Sequence, residues 1–277
     1  MMRLGMLLRN SGPAATAELI ASCARAAEDL GVDDLFVLDH IAIPPDQAEG
    51  SGGRYLDPLA TLAFAAAITQ RIGLGTAVLV LPYRPPLITA KWVASIQELC
   101  RGRLTLGVGA GWMEAEFRAA GVARSARGRL TDETLAFLHD CFSQDVVTAH
   151  DQAFIFSPRP TRPRVLIGGQ GPHVMRRVLA WGDGWMPTGG DVDALRGPIA
   201  DLAAALVGQG RPAPLVVPLL GVPVEDPAAA AAQLSSLAAI GCTGVAHLAR
   251  YTTVEEFSRG AAALLEARAR AGLAAPK

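Results

Sequence analysis

The segment Arg71–Trp112 reads RIGLGTAVLVLPYRPPLITAKWVASIQELCRGRLTLGVGAGW. It contains two apolar runs, Ile72–Leu81 and Leu104–Val108, separated by Leu87–Leu99, which has the residue spacing of a helix. The two runs are apolar throughout, as is typical of parallel strands that are buried on both faces. The segment therefore predicts a strand–helix–strand unit, the building block of an α/β protein.

The same alternation continues on both sides of this unit. Further apolar runs predict strands at Arg3–Leu8, Leu35–Asp39, Val165–Gly169, Gly184–Pro187, Leu215–Val222 and Gly244–Leu248. Further Ala-rich segments predict helices at Thr16–Leu30, Asp57–Thr69, Thr131–Phe142, His173–Ala180, Val192–Val207, Pro227–Ile240 and Val254–Ala271. This alternation is that of a (β/α)8 TIM barrel, formed as a single domain by residues 1–277. An open doubly wound sheet is the alternative, but it more usually has fewer repeats.

The composition excludes several classes of partner. The 277 residues include 25 Lys and Arg against 26 Asp and Glu, so no basic excess favours nucleic acid or a membrane surface. No apolar run approaches the roughly 20 residues of a membrane span. The scattered cysteines have no CxxC pair and are typical of buried thiols in a reducing compartment. The sequence therefore predicts a cytoplasmic protein with a small-molecule substrate.

Two connecting segments are longer than ordinary loops. Ile41–Leu56 directly follows the second predicted strand, and Ser143–Arg164 precedes the fifth. Long loops after barrel strands usually carry lids and substrate contacts. We therefore expect the first segment to be functional and much of the second to be a structural return. Thr131, followed by two acidic residues, is expected to cap the fourth helix.

Candidate chemistry lies at the C-terminal ends of the strands, where barrel enzymes place their active sites. The second strand ends in Asp39-His40, a carboxylate and an imidazole, and imidazole is the side chain best suited to proton transfer near neutral pH. A surface histidine or a structural hydrogen bond is the alternative. At a strand end we favour the catalytic interpretation, with His40 and Asp39 as the candidate catalytic residues.

Glycines cluster at the neighbouring strand ends. The fourth strand ends Gly107-Val-Gly-Ala-Gly111-Trp112, and the fifth ends in Gly168-Gly-Gln-Gly171 just before a helix. The first series lets a planar ring or a phosphate approach the backbone, and the second exposes N–H groups that bind phosphate. An ordinary tight turn is the alternative for the second series. No serine-hydrolase elbow and no metal-ligand cluster is present in the sequence, so we expect no metal and an organic cofactor.

These motifs carry a specific resemblance. RIGLGTAVLVLPYRPPLITAKWVASIQELCRGRLTLGVGAGWMEAEFRAAGV and VLIGGQGPHVMRRVLAWGDGWMPTGG, with Asp39-His40 and RGRLTDETLAFL, closely resemble the luciferase-like monooxygenase family over about residues 2–190. The resemblance implies a (β/α)8 barrel that binds FMN or the deazaflavin coenzyme F420. It also implies a non-prolyl cis peptide at Ala77–Val78, beneath the flavin ring.

The resemblance further implies roles for individual residues. Asp39 would hydrogen-bond the ring edge, His40 would donate or accept a proton, and the phosphate would lie against residues 168–171. The implied cofactor contacts are Asp39, Thr76, Ala77, Val78, Ala110, Gly111, Gly168, Gly169, Gln170, Gly171, Gly184 and Trp185. One departure concerns Trp112, which stands where F420-dependent sugar-phosphate dehydrogenases of this superfamily have a catalytic glutamate. The substrate pocket is therefore expected to be more apolar around Trp112, with polar contacts supplied by Tyr55 and Arg54.

The resulting expectation is an F420-dependent oxidoreductase that transfers hydride between the deazaflavin and a small organic substrate. An F420 reductase is the possible partner of this F420-dependent enzyme. The first alternative is an FMN-dependent monooxygenase that uses oxygen and a flavin reductase. The second alternative is a flavin-binding protein without catalysis, against which the intact Asp39-His40 pair argues. The resemblance also implies a homodimer.

Overall fold

The computed structural model describes residues 1–275, in which parallel strands pair side by side around a barrel. The strands are β1 (Arg3–Leu7), β2 (Asp34–Val37), β3 (Gly73–Thr76), β4 (Leu79–Val80), β5 (Leu104–Gly109), β6 (Val146–Ala149), β7 (Gln152–Ile155), β8 (Arg164–Gly168), β9 (Gly184–Met186), β10 (Leu215–Val216), β11 (Leu219–Leu220) and β12 (Gly244–His247). Positions 276 and 277 of the predicted domain lie outside the described residues.

The main sheet has the order β10-β9-β8-β5-β3-β2-β1-β12-β11, and β4 also pairs with β5. β10 pairs with β9, while β11, only two residues further along the chain, pairs with β12. The Val217 amide donates to the Trp185 carbonyl and the Ala246 amide donates to the Pro218 carbonyl, so the intervening residues continue both seams. The sheet closes on itself, which confirms the predicted (β/α)8 barrel.

Helices cover the outside of this sheet. They are α1 (Ala17–Leu30), α2 (Pro58–Ile68), α3 (Pro86–Leu99), α4 (Glu114–Ala119), α5 (Arg127–Ser143), α6 (Pro172–Trp181), α7 (Val192–Gly208), α8 (Pro227–Ala239) and α9 (Val254–Arg270). The predicted helices match eight of these, and α4 is an addition between β5 and α5. Within residues 1–275, none of the helices has both the length and the apolar character that crossing a bilayer requires.

Two strands predicted as continuous are broken. The run Ile72–Leu81 divides into β3 and β4 at Ala77 and Val78. Beyond this break the Val80 amide of β4 donates to the carboxylate of Asp39. The run Leu215–Val222 divides into β10 and β11 around Pro218, which has no N–H for a sheet ladder.

The predicted helix start at Thr131 is also wrong. α5 begins at Arg127, directly after a short 3-10 turn at Arg124–Ala126, and the Thr131 hydroxyl donates to the Arg127 carbonyl from inside the helix. The segment before β8 contains an antiparallel hairpin, β6–β7, whose turn residues His150 and Asp151 have positive φ angles. That turn lacks the Asn-Gly or Asp-Gly sequence by which such hairpins are usually recognised.

The barrel interior is filled by a small apolar cluster centred on Phe36. A Cβ atom at Gly5 or at Gly75 would lie 2.5 Å or 2.6 Å from the Phe36 ring. β1 and β3 therefore carry glycines beside the aromatic residue of β2, because only glycine leaves room for the ring. This packing closes the barrel below the C-terminal strand ends.

Candidate functional site

Asp39 and His40 follow β2 at the C-terminal edge of the barrel, but their side chains have different environments. The carboxylate of Asp39 is fully buried and accepts hydrogen bonds from Arg84 Nη1 (2.6 Å), Arg84 Nη2 (2.9 Å) and the Val80 amide (2.8 Å). Burial raises the pKa of Asp39, and the ion pair with Arg84 opposes that rise. The expectation was a contact with the cofactor ring, whereas this structure directs both carboxylate oxygens into the protein.

His40 is held by a carboxylate from the added helix α4. Its Nδ1 atom lies 3.1 Å from Glu116 Oε2, and the Glu116 side chain is only 2% exposed. Burial alone would raise the pKa of Glu116, but hydrogen bonds from His40 and from the Ala42 and Ile41 amides outweigh it and lower that pKa. Glu116 is therefore an ionised carboxylate that contacts His40.

Tyr83 completes this group. Its hydroxyl donates to Glu116 Oε2 at 3.0 Å, and its ring packs edge-on against Phe117. Burial and the nearby negative charge of Glu116 raise the pKa of Tyr83, so the phenol keeps its proton. Glu116 thus accepts hydrogen bonds from His40, which follows β2, and from Tyr83, in the turn after β4.

A cavity of about 940 Å³ opens beside His40 at this edge of the barrel. It is large enough for a mononucleotide-sized ligand. Besides Asp39 and His40, it brings together eight of the residues predicted from the sequence: Ala77, Val78, Ala110, Gly111, Trp112, Gly168, Gly169 and Gln170.

Several predicted contacts lie elsewhere. Thr76 is buried and donates to the Gly107 carbonyl. The Trp185 indole is buried and donates to the Gly169 carbonyl, in the loop at residues 168–171. A Cβ atom at Gly184 would lie 1.9 Å from the Leu215 carbonyl oxygen, so that glycine permits strand packing. Gly171 and Trp185 line a second cavity, of about 510 Å³, between α6 and α7.

Tyr55 packs against His40 but does not itself line the main cavity. Their ring centroids are 4.9 Å apart, whereas Trp112, which is 66% exposed, lies 6.3 Å from His40 in an edge-on arrangement. Trp112 therefore forms the outer rim of the cavity, and Tyr55 supports the imidazole.

The segment between β3 and β4 forms part of the cavity wall, and the Ala77–Val78 peptide bond is cis, as the resemblance implied. The side chain of Val78 packs between two neighbouring strands. A Cβ atom at Gly109 would lie 2.7 Å from Val78 Cγ2, and one at Gly168 would lie 2.6 Å from Val78 Cγ1. These two glycines therefore make room for Val78, whereas the sequence analysis assigned the glycine series to close approach of a ligand.

The loop at residues 168–171 leads directly into α6. Gly169 and Gly171 have φ angles of 103° and 87°, which disfavour any residue with a side chain. A Cβ atom at Gly171 would meet nothing within 4 Å, so open space lies beside the first turn of α6. The backbone amides at such a helix start attract anions.

Basic side chains from α5 and α6 extend the cavity lining beyond this loop. They are Arg127, Arg129, Arg176 and Arg177, accompanied by Asp132 and Glu133. Within this α5 and α6 group, four arginines against two carboxylates leave an excess of two positive charges, whereas the other carboxylates of the lining, Asp39 and Glu116, contact Arg84 and His40. Asp132 accepts from Arg176 and from Arg177 at 2.6 Å each, and Arg129 binds Glu133, so these guanidinium groups are held in place.

Both ends of the loop after β2 are fixed. The Ile41 and Ala42 amides donate to Glu116 Oε1 at 2.6 Å and 3.2 Å. At the other end, the Asn10 side-chain amide donates to the carbonyls of Leu38 and Leu56, and the Leu56 amide donates to the Asn10 carbonyl.

The sequence analysis missed Glu116, Tyr83, Arg84 and the arginines of α5. Glu116 is 76 positions from His40 along the chain, and the short helix that carries it has no strong periodic pattern. The one available signal was the acidic character of the residues just after Trp112.

Comparison with known proteins gives one family. The family model described as luciferase-like monooxygenase matches residues 2–275. An uncharacterized protein of Mycobacterium tuberculosis is 32% identical over 235 residues, which cover 77% of this chain and 83% of that protein. An F420-dependent glucose-6-phosphate dehydrogenase of Nakamurella multipartita is 31% identical over 187 residues, covering 64% of this chain and 53% of that enzyme.

Two solved structures share the fold. The monooxygenase RslO1 from Streptomyces bottropensis superposes with a TM-score of 0.79 at 18% identity, covering 94% of this chain and 96% of that one. An F420-dependent secondary alcohol dehydrogenase in complex with an F420-acetone adduct has a TM-score of 0.74 at 14% identity, with 95% and 99% coverage. Because the family model spans nearly the whole chain, and the barrel fold agrees with it, the protein belongs to the luciferase-like monooxygenase family.

Proposed function

We propose that this protein is a coenzyme F420-dependent oxidoreductase that transfers hydride between the deazaflavin and a small organic substrate. The observation that carries the proposal is the position of His40 on the wall of a cavity shared with the Ala77–Val78 segment. A proton carrier beside a site for a planar ring is what coupled hydride and proton transfer requires. His40 is the proposed catalytic residue.

The residues present fit a cofactor of this kind. Ala77 and Val78 offer an apolar surface for a ring in the main cavity. Gln170 lines both this cavity and the second one, where the open space at Gly171 lies beside the amides at the start of α6. Gly168, Gly169 and Gln170 line the same cavity, and they are the proposed phosphate contacts together with Gly171. The bound cofactor would supply or accept the hydride.

The arginines of α5 and α6 favour F420 over FMN. FMN ends in a single phosphate, whereas F420 continues from its phosphodiester into a chain of carboxylates. An excess of two positive charges around one side of the cavity suits the longer anionic chain. The similarity to the F420-dependent enzyme of Nakamurella multipartita supports the same choice.

The remaining side chains have supporting roles in this proposal. Asp39 and Arg84 hold β4 beside the ring site and therefore act as positioning residues. Trp112 gives the substrate an apolar contact at the rim. His40 exchanges a proton with the substrate atom that gains or loses negative charge as hydride moves, so that charge does not accumulate on the substrate.

The test is a pair of titrations of purified protein, one with F420 and one with FMN, followed by fluorescence. We expect micromolar binding of F420 and much weaker binding of FMN. Micromolar binding of FMN alone would reverse the choice and favour the monooxygenase alternative, which then requires oxygen-dependent product formation. Tight F420 binding without turnover on any hydride acceptor or donor would favour the non-catalytic alternative.

A matched pair of variants tests the role of the arginines. Arg127→Gln removes a positive charge from the cavity lining, and Arg25→Gln removes one from the exposed face of α1. We expect the first to weaken F420 binding at least about fivefold and the second to leave it unchanged, since one charge-assisted contact contributes about 1 kcal/mol or more. Equal affinities in the two variants would argue against an anion site at α5.

The homodimer, the cytoplasmic location and the reductase partner stay predictions. Light scattering of the purified protein tests the first, and reduction of bound cofactor by candidate reductases tests the third.

A further inference from the structure

The carboxylate of Glu116 is bound by four donors. Oε1 accepts from the Ile41 and Ala42 amides, and Oε2 faces His40 Nδ1 and the Tyr83 hydroxyl. The side chain is 2% exposed, and its lowered pKa keeps it ionised. An ionised carboxylate accepts hydrogen bonds and donates none.

The proton on His40 follows from this arrangement. A neutral imidazole carries one N–H and one bare nitrogen, and the partner of one nitrogen decides which is which. Because Glu116 Oε2 only accepts, the proton must lie on Nδ1. Nε2 is then the bare nitrogen, available to a ligand in the cavity that His40 lines.

We infer that Glu116 is the positioning residue that fixes His40 as the Nδ1–H tautomer, so that Nε2 exchanges the proton with the substrate. The inference rests on the proposed function only for the identity of that substrate. Glu116 also lines the cavity, but in this role it acts through His40. It sets the ring orientation, and when His40 takes up a proton at Nε2, its negative charge stabilises the resulting imidazolium.

Nitrogen-15 NMR of histidine-labelled protein without cofactor tests the inference at about pH 8, where a histidine is mainly neutral. The Nδ1 and Nε2 signals of His40 are assigned by their loss in His40→Ala. We expect a protonated Nδ1 and a bare Nε2 in the wild-type protein. A protonated Nε2, or signals averaged between the two tautomers, would overturn the inference without any need for a Glu116 variant.

His247 is an internal reference in the same spectrum. Its Nδ1 atom accepts a hydrogen bond from the Val222 amide at 3.0 Å, so its proton must lie on Nε2. The two histidines are therefore expected to show opposite tautomers, and that of His247 is expected to stay unchanged in every variant of Glu116 or Tyr83.

Glu116→Gln gives the sharpest variant. The side-chain oxygen of the new glutamine can still accept hydrogen bonds from the Ile41 and Ala42 amides. Its NH2 group then lies opposite His40 Nδ1. We expect the His40 proton to move from Nδ1 to Nε2. Tyr83→Phe removes one donor to Glu116 and leaves the contact with His40, so it should keep the wild-type tautomer. An unchanged tautomer in Glu116→Gln would contradict the inference.

Turnover separates this inference from the proposed function. If F420 binds, we expect Glu116→Gln to lower kcat about 10–10²-fold, as is common for residues that orient a catalytic group, with F420 affinity within about twofold of wild type. A wild-type kcat in Glu116→Gln would overturn the inference while leaving the proposed function intact. Failure of the wild-type protein to bind F420 would overturn the proposed function, and the NMR result would still decide the tautomer.

Discussion

At the scale of single residues, the site depends on two adjacent positions that have separate tasks. His40 lines the cavity and contacts Glu116, whereas the Asp39 carboxylate is fully buried against Arg84. The sequence predicts both positions because polar residues just after a buried strand lie at the barrel edge. It could not predict their partners, since Glu116 and Arg84 reach the site only through the fold. Asp39 also lines the cavity, so its contact with the cofactor ring stays a prediction, while the arginine that binds it has no signal in the sequence.

His40→Ala removes the proposed proton carrier without touching the phosphate loop. We expect turnover to fall about 10²-fold or more, the usual scale for a general acid or base, and F420 affinity to stay within about twofold. Steady-state kinetics and fluorescence titration measure the two effects. His139→Ala, on the exposed face of α5, is the control and should retain full turnover. Full turnover in His40→Ala as well would remove His40 from the mechanism.

Arg84→Met leaves the Asp39 carboxylate buried without its cation. We expect a loss of about 3–5 kcal/mol in the free energy of unfolding, measured by urea denaturation, because an unpaired buried charge is strongly destabilising. The double variant Arg84→Met/Asp39→Asn should lose less, since no buried charge is left unpaired; only Asp57, whose side chain is about half exposed, loses its contact with Arg84. Arg129→Met is the control, because its pair with Glu133 is exposed and should contribute within about 0.5 kcal/mol.

At the scale of elements, most helices and strands could be predicted from the alternation of apolar runs with Ala-rich helical segments, whereas the one predicted cap, Thr131, was wrong. The breaks in the sheet could not be predicted in this way. β3 and β4 are separated at Ala77 and Val78. In β4 the Val80 amide donates to the Asp39 side chain, and an apolar run contains no sign of that long-range contact. The break between β10 and β11 had a signal in the sequence, Pro218. The prediction of one continuous strand gave more weight to the apolar residues on either side of it.

The packing of Val78 between β5 and β8 can be tested at Gly109. We expect Gly109→Ala to lower the free energy of unfolding by about 1–3 kcal/mol, because the new Cβ atom would lie 2.7 Å from Val78 Cγ2. Adding Val78→Ala removes that atom, so the double variant should be more stable than the two single effects predict. Simple additivity would show that Val78 does not cause the strain.

A helical glycine provides the comparison for this test. Gly260 lies inside α9, and a Cβ atom there would meet nothing within 4 Å. Gly260→Ala is therefore expected to stabilise the protein by about 0.5–1 kcal/mol through its helix propensity. A loss of stability there would mean that the cost of glycine substitution in this protein is general and not specific to Val78.

At the scale of the whole molecule, the count of strands and helices was enough to predict a barrel, because few other folds use that many repeats. How the barrel closes was not predictable. The seam contains the short strands β10 and β11 and a buried histidine, His247. The Nδ1 atom of His247 accepts a hydrogen bond from the Val222 amide. Burial lowers the pKa of His247 to about 4.

This histidine makes stability depend on pH. The unfolded chain takes up the His247 proton below about pH 6.5, whereas the folded chain resists it until about pH 4. Its contribution is therefore complete above pH 6.5 and is lost as the pH falls toward 4, by up to about 3 kcal/mol. Urea denaturation at several pH values should show this loss in the wild-type protein relative to His247→Asn, in which the amide oxygen can still accept from Val222. Parallel pH curves for the two proteins would exclude His247 as the cause.

The loop after β2 is anchored at its first residues by Glu116 and at its last residue by Asn10, and neither anchor depends on the residues between positions 43 and 53. The sequence of that interior stretch can therefore be changed without removing either anchor. Insertions, deletions or grafted sequences there are expected to leave both anchors, and with them the orientation of the imidazole, in place. Proteins with this architecture can accordingly vary in the length and sequence of this loop while the contact between His40 and Glu116 is kept.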